Sequence, residues 1–155
     1  MPMSATATPV PALASVDTSL AALFEAAKTA REKAYAPYSR FLVGAAILDG
    51  QGGVHVGCNV ENAAYPEGTC AEAGAIAAMI IAGAREIAEI AIVGGREGRP
   101  LELCPPCGGC RQKIREFAGP DARIHLLATD GSVQTLSREA LLPHSFGPDN
   151  LGDAP

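Results

Sequence analysis

Pro106-Cys107-Gly108-Gly109-Cys110-Arg111-Gln112-Lys113-Ile114-Arg115-Glu116-Phe117 decides the fold. Arg111, Lys113 and Arg115 alternate with apolar Ile114 and Phe117, which reads as a helix from about Cys107 to Phe117. Gly119-Pro120 stops it. An apolar, β-branched run, Ile87 to Val93, precedes this helix, and Arg123 to Ala128 follows it. A strand–helix–strand crossover lays its two strands parallel in one sheet and packs the helix on a face.

Working outwards, Asp130-Gly131 turns the chain into a further strand, Ser132 to Leu136. Ser137 then caps a short helix through Leu142. Upstream, Phe41 to Leu48 and Val54 to Val60 flank the turn cluster Asp49-Gly50-Gln51-Gly52-Gly53, an antiparallel hairpin. A first helix has Asp17, Thr18 and Ser19 as caps and Leu20, Leu23, Phe24, Ala27 and Ala30 on one face. It should end near Tyr35, because Pro37 disfavours helix just before it. Thr69 is the expected N-cap of a second helix, Cys70 to about Ala82, which Gly83 ends. That helix is apolar all round, so it is expected to be buried on most sides. The sum is an α/β domain with a five-stranded mixed sheet and helices on both faces.

With 155 residues, the chain holds one domain and a real core. A composition 48% hydrophobic and 19% charged is that of a globular protein. Twelve Lys and Arg against seventeen Asp and Glu leave a net charge of −5, with no basic run to follow a phosphate backbone, so a nucleic-acid partner is disfavoured. No apolar stretch reaches the ~18 residues of a membrane span. Residues 1–17 carry no Lys or Arg and three prolines, and read as a flexible N-terminal tail, not a secretory signal. The folded domain is expected over 18–150, with 151–155 a short C-terminal tail, in a soluble, cytoplasmic protein.

Five cysteines leave at least one unpaired, and the spacing of Cys107 and Cys110 suits a metal better than a disulfide framework. Cys70 also begins a helix, where free N–H groups and the dipole favour thiolates. Cys70, Cys107 and Cys110 are thus the expected ligands of one Zn²⁺. His55, His125 and His144 have no metal-type spacing to them, and Cys58 and Cys104 read as a small buried residue and a bystander. The fourth position is left for water, whose pKa zinc lowers towards ~7. Glu72, two residues beyond Cys70, is placed to handle that water's proton.

Singly, each feature has a plainer reading. A Cys-x-x-Cys pair is often structural or redox, Asn59 and Asn62 suit a strand exit, and Phe41 and Phe146 suit a core. Together they are more specific. Cys70-Ala71-Glu72 with Pro106-Cys107-Gly108-Gly109-Cys110 resembles the signature of zinc nucleoside deaminases, a class for which the three-cysteine ligand set is a known variant. Ala36-Pro37-Tyr38-Ser39, Phe41-x-Val43-Gly44-Ala45-Ala46, Gly57-Cys58-Asn59-Val60-Glu61-Asn62-Ala63, Cys110-Arg111-Gln112 and Leu141-Leu142-Pro143-x-Ser145-Phe146-Gly147-Pro148 extend the likeness to the small homotetrameric cytidine deaminases, over about residues 18–150.

That resemblance implies a three-layer α-β-α fold, Zn²⁺ on Cys70, Cys107 and Cys110, and Glu72 as proton shuttle. It implies conversion of cytidine or deoxycytidine to uridine or deoxyuridine and ammonia, in pyrimidine salvage. Asn59 and Glu61 would hold the ribose 3′-hydroxyl, Phe41 would stack near the base, and the Ala71 backbone would meet the pyrimidine amide edge. Tyr65 and Phe146 would reach a neighbouring subunit's site. One departure stands out: the family often has Arg after the Cys-Ala-Glu run, and this chain has Ala73. The helix dipoles and Arg111 are the candidates to offset the thiolate charge. Two other readings fit the zinc motifs: a deaminase of blasticidin-type nucleosides, against which Asn59-x-Glu61 argues, and a structural zinc module, which requires a fourth protein ligand.

Overall fold

The computed structural model describes residues 19–152. The expected N-terminal tail and the caps Asp17 and Thr18 lie outside the described residues, as do residues 153–155. Helix α1 (Leu20–Arg31) is capped by Ser19, whose hydroxyl accepts from the Ala22 N–H at 3.2 Å. It ends before Tyr35 because Tyr35 is committed to an extended pairing. Its N–H donates to the Asn59 carbonyl and its own carbonyl accepts from Glu61.

Strands β1 (Phe41–Asp49) and β2 (Val54–Cys58) form the expected antiparallel hairpin, with Gly44 opposite Cys58 and Leu48 opposite Val54. β2 stops at Cys58, short of Val60, which is held instead by single bridges to Tyr35 and Thr69. Thr69 therefore does not cap the next helix. Its backbone is spent on Val60, and Cys70 takes the N-cap of α2 (Ala71–Ile81) with an extended backbone.

β3 (Ile87–Arg96) runs three residues past the expected end, because Gly94 and Gly95 pair with Val43 and Leu42. Cys107 caps α3 (Gly108–Phe117), and β4 (Ala118–Leu127) begins at once. Ala118 pairs with Ile87; the register then shifts, and Arg123 pairs with Glu89, so Gly119-Pro120 sits inside the strand's irregular start. β5 (Val133–Ser137) pairs antiparallel with β4, and Ser137 caps α4 (Arg138–Leu141) through the Ala140 N–H.

The sheet order is β2-β1-β3-β4-β5, mixed, with β3 and β4 the parallel pair. Alternation along the strands divides the core into two layers. Ala46, Ala91 and Val93 meet Leu23, Phe24 and Ala27 of α1 on one face. Ala45, Ile47, Ile90, Ile92, Ile124 and Leu126 meet Ala75 and Met79 of α2, Ile114 of α3 and Leu141 of α4 on the other. Two glycines set the helix distances. A Cβ on Gly44 would lie 2.0 Å from the Ala27 carbonyl oxygen, and one on Gly57 would lie 2.3 Å from both the Ala71 oxygen and the Ala75 nitrogen. α2 is less buried than its composition predicts: Ala77 and Ile81 face outwards, and Ile81 is 87% exposed. Among the described residues no helix is long and apolar enough to cross a membrane.

Candidate active site

Two helix starts meet at one end of the second core layer. Cys70 caps α2, Cys107 caps α3, and Cys110 lies in the first turn of α3. Their three sulfurs lie within 4.8 Å of one another, with Cys70 Sγ and Cys107 Sγ 3.8 Å apart. A tetrahedral zinc with Zn–S bonds of about 2.3 Å holds its sulfurs about 3.8 Å apart, so this spacing fits that ion. All five cysteines are free, and Cys58 is half-buried.

The electrostatics also suit a divalent cation. The Cys110 backbone N–H pulls the Cys107 thiol below its ordinary pKa, as expected at a helix start. Cys70 and Cys110 go the other way. Burial raises both, the adjoining Cys107 and the Glu72 carboxylate push in the same direction, and for Cys70 they outweigh its hydrogen bond with Cys110. A bound cation reverses that balance and holds the thiols deprotonated. Three soft donors plus the charge crowding among them are the observation that zinc satisfies.

Glu72 sits in the first turn of α2, 4% exposed, and Cys110 Sγ donates to its Oε2 at 3.4 Å. Burial raises its pKa, and Lys113 on α3 partly opposes this. Arg111 does not offset the thiolates by contact. Its Nε donates to the Pro106 carbonyl at 3.0 Å and its Nη1 to the Leu141 carbonyl at 3.1 Å, which fixes the loop entering Cys107. Lys113, read from the sequence only as a polar position of this helix, is the cation that acts on Glu72.

A cavity of about 180 Å³ opens onto the thiols, lined by Val43, Asn59, Cys70, Ala71, Glu72, Cys104, Pro105 and Cys107. Cys104 is thus part of its wall, not a bystander, and burial pushes its thiol up to about 12, so it stays neutral. Gly94 makes room for it: a Cβ there would lie 2.6 Å from Cys104 Sγ and 3.1 Å from Phe41 Cε1. Phe41 of β1 and Cys104 thus both lie against Gly94 of β3, and Phe41 is not among the residues lining the cavity.

Asn59 lies where β1 and β2 diverge. Its Oδ1 accepts from the Val43 N–H at 2.8 Å and its Nδ2 donates to the Phe41 carbonyl at 2.9 Å. Each end keeps one further bonding position. Glu61 faces a second, outer cavity of about 320 Å³ together with Tyr38, Ser39, Asn62, Tyr65 and Gly68. The Ser39 hydroxyl and the Tyr38 and Ser39 N–H groups all donate to its carboxylate and hold its pKa below the ordinary value. Tyr65 is 75% exposed and meets Tyr38 edge-on. Phe146 is 58% exposed and is not among the residues lining either cavity. The histidines are elsewhere: His55 pairs with Asp49, and buried His125 lies between Thr135 and Glu89.

The family model of the cytidine and deoxycytidylate deaminase zinc-binding region matches residues 17–126. A cytidine deaminase of Sporosarcina psychrophila is 39% identical over 132 residues, 85% of this chain and 94% of that one. One of Halalkalibacterium halodurans is 40% identical over 131 residues, 84% and 96% of the two chains. The crystal structure of cytidine deaminase from Burkholderia pseudomallei superposes with a TM-score of 0.75 at 45% identity, covering 83% of this chain and 99% of that one. The match spans α1 to β4, including all three converging thiols and Glu72, and this chain belongs to the zinc-binding cytidine and deoxycytidylate deaminase family.

Proposed function

We propose that this protein is a zinc-dependent hydrolase that acts on the amidine C–N bond of cytidine and deoxycytidine, releasing ammonia and leaving uridine or deoxyuridine. The observation that carries the reading is the placement of Glu72, buried and 3.4 Å from a thiol of the three-cysteine cluster. Among the described residues that cluster has three members, which suits a site open to substrate.

In this reading Cys70, Cys107 and Cys110 hold zinc, which supplies the Lewis acidity that activates water for attack at C4. Glu72 takes the water's first proton and delivers it to pyrimidine N3. It then carries the second to the departing amino group, so that two protons and one oxygen of water end on product and ammonia. A carboxyl with a raised pKa suits both halves of that transfer. The Ala71 backbone meets the amide edge of the base, and Phe41 stacks near it. The remaining positions on Asn59 and Glu61 take the ribose 3′-hydroxyl. The ionised Glu61 repels a phosphate, which favours a nucleoside over a nucleotide.

The catalytic domain spans residues 18–150 and works as a homotetramer, with Tyr65 and Phe146 reaching a neighbouring copy's site. The outward apolar face of α2 (Ala77, Ile81) and the exposed rings of Tyr65 and Phe146 support self-association. Free thiols suit a reducing, cytoplasmic setting. The test is direct: zinc-loaded protein lowers the ultraviolet absorbance of a cytidine solution as cytidine becomes uridine. Protein with full zinc and no turnover of cytidine or deoxycytidine contradicts the proposal.

A further inference from the structure

Beyond α4 the chain forms one short 3-10 turn, Pro148–Leu151, yet it is tied to α3 on both sides of Phe146. Arg115 Nε donates to Ser145 Oγ at 2.9 Å, and Gln112 Nε2 donates to the Phe146 carbonyl at 2.9 Å. The Arg115 side chain is only 12% exposed and lies flat against Gly147: a Cβ there would sit 2.6 Å from Nη2. Asn150 closes the far side, its Oδ1 accepting from the Gly147 N–H at 2.7 Å. The 3.7 Å pair between Arg115 and Asp149 adds little, since Asp149 is 92% exposed.

The main chain around Phe146 is therefore fixed, while its ring is left outside. Large apolar rings are usually buried, and a pinned backbone with an exposed ring is the form of a presented contact. Gln112 and Arg115 are three apart on one face of α3, the helix that begins with the zinc thiols. We infer that Arg115, with Gln112, is a positioning residue: a latch that aims Phe146 at the nucleoside site of a neighbouring copy. Gly147 is part of the latch because its backbone is extended and any residue's φ would serve; it is the guanidinium that forbids a side chain. The inference rests on the role proposed above for Phe146.

The experiment compares full-length, zinc-loaded wild type with Phe146→Ala, Arg115→Ala, Gly147→Ala and the Arg115→Ala/Phe146→Ala double variant. It reads KM and kcat for cytidine, bound zinc, and hydrogen exchange at the Gly147 amide. Phe146→Ala is expected to raise KM roughly fivefold or more, as loss of an aromatic contact does, with kcat and zinc little changed. Arg115→Ala and Gly147→Ala should raise it by the same factor, and the double variant no further. Exchange at Gly147 should speed up roughly tenfold or more in Arg115→Ala. Gly147→Ala keeps every α3 side chain, so it reads the latch even where Arg115→Ala perturbs folding. A normal KM in Arg115→Ala and Gly147→Ala, beside a raised KM in Phe146→Ala, overturns the latch alone. A normal KM in Phe146→Ala overturns the assignment of Phe146 first and the latch with it.

Discussion

Gly57 and Gly74 face each other where β2 supports α2, and they should respond oppositely to the same added methyl. A Cβ on Gly57 meets the Ala71 oxygen and Ala75 nitrogen at 2.3 Å and the Gly74 carbonyl carbon at 2.8 Å, all of them backbone. Relief to ordinary contact demands that α2 retreat by about 1 Å, because main chain cannot rotate aside as a side chain can. Overpacking usually costs about 1–3 kcal/mol, and a backbone clash belongs at the top of that range. For a domain this size, about 3 kcal/mol lowers Tm by about 6–12 °C. The same retreat carries Cys70 away from Cys107 and Cys110, while metal bonds tolerate only about 0.2 Å. Gly57→Ala should therefore lose zinc as well as stability. Gly74→Ala adds its methyl 3.5 Å from the Gly57 Cα, an ordinary contact, and replaces a helix-interior glycine. It should be neutral or stabilising by about 0.5–1 kcal/mol. Thermal melts with zinc content measured on the same samples decide. Equal Tm and full zinc in Gly57→Ala would refute the view that this glycine sets the height of α2 above the sheet.

Other consequences follow from single residues. Asp49 accepts from the Gln51 and Gly53 N–H groups at 2.8 and 2.9 Å and pairs with His55 at 2.6 Å. Burial alone would raise its pKa, but the His55 and backbone hydrogen bonds outweigh it and hold the carboxyl below the usual value. A lowered folded pKa gives stability that is full above the unfolded value, about 3.9, and is lost as pH falls through the folded one. Asp49→Ala should be less stable at pH 7 by about 2–3 kcal/mol, and urea melts should show the gap closing in acid. A gap that stays constant with pH contradicts the assignment. Cys107→Ser should weaken zinc binding by more than the roughly 100-fold that loss of an outer-shell partner costs, read by chelator competition. Wild-type retention would remove Cys107 from the ligand set.

The parts of the fold that depend on local pattern were legible in the sequence. The β1–β2 hairpin follows from its turn residues, and the crossover through α3 from two β-branched runs around a helix. The metal site was legible because helix N-termini place Cys70, Glu72, Cys107 and Cys110 by short-range spacing. What stayed hidden depends on partners distant in sequence. Tyr35 leaves helix because Asn59 and Glu61 claim its backbone, and Thr69 fails as a cap because Val60 does. Cys104 enters the cavity wall because Gly94, ten residues earlier on β3, leaves space for its sulfur. α2 reads as buried on most sides because hydrophobicity reports that a surface needs cover without saying whose chain supplies it. The helical pattern marks Arg115 only as a polar position of α3, and its partner Ser145 lies thirty residues on.

Glu72 is proposed to move protons at a zinc centre it does not itself hold. The most direct measurement compares wild type and Glu72→Gln, with bound zinc and cytidine deamination read on the same samples. The amide keeps the size and removes the proton exchange, so one zinc per chain should remain in both while turnover falls by about 10²–10⁴-fold in the variant. Turnover at the wild-type rate in zinc-replete Glu72→Gln would contradict the account.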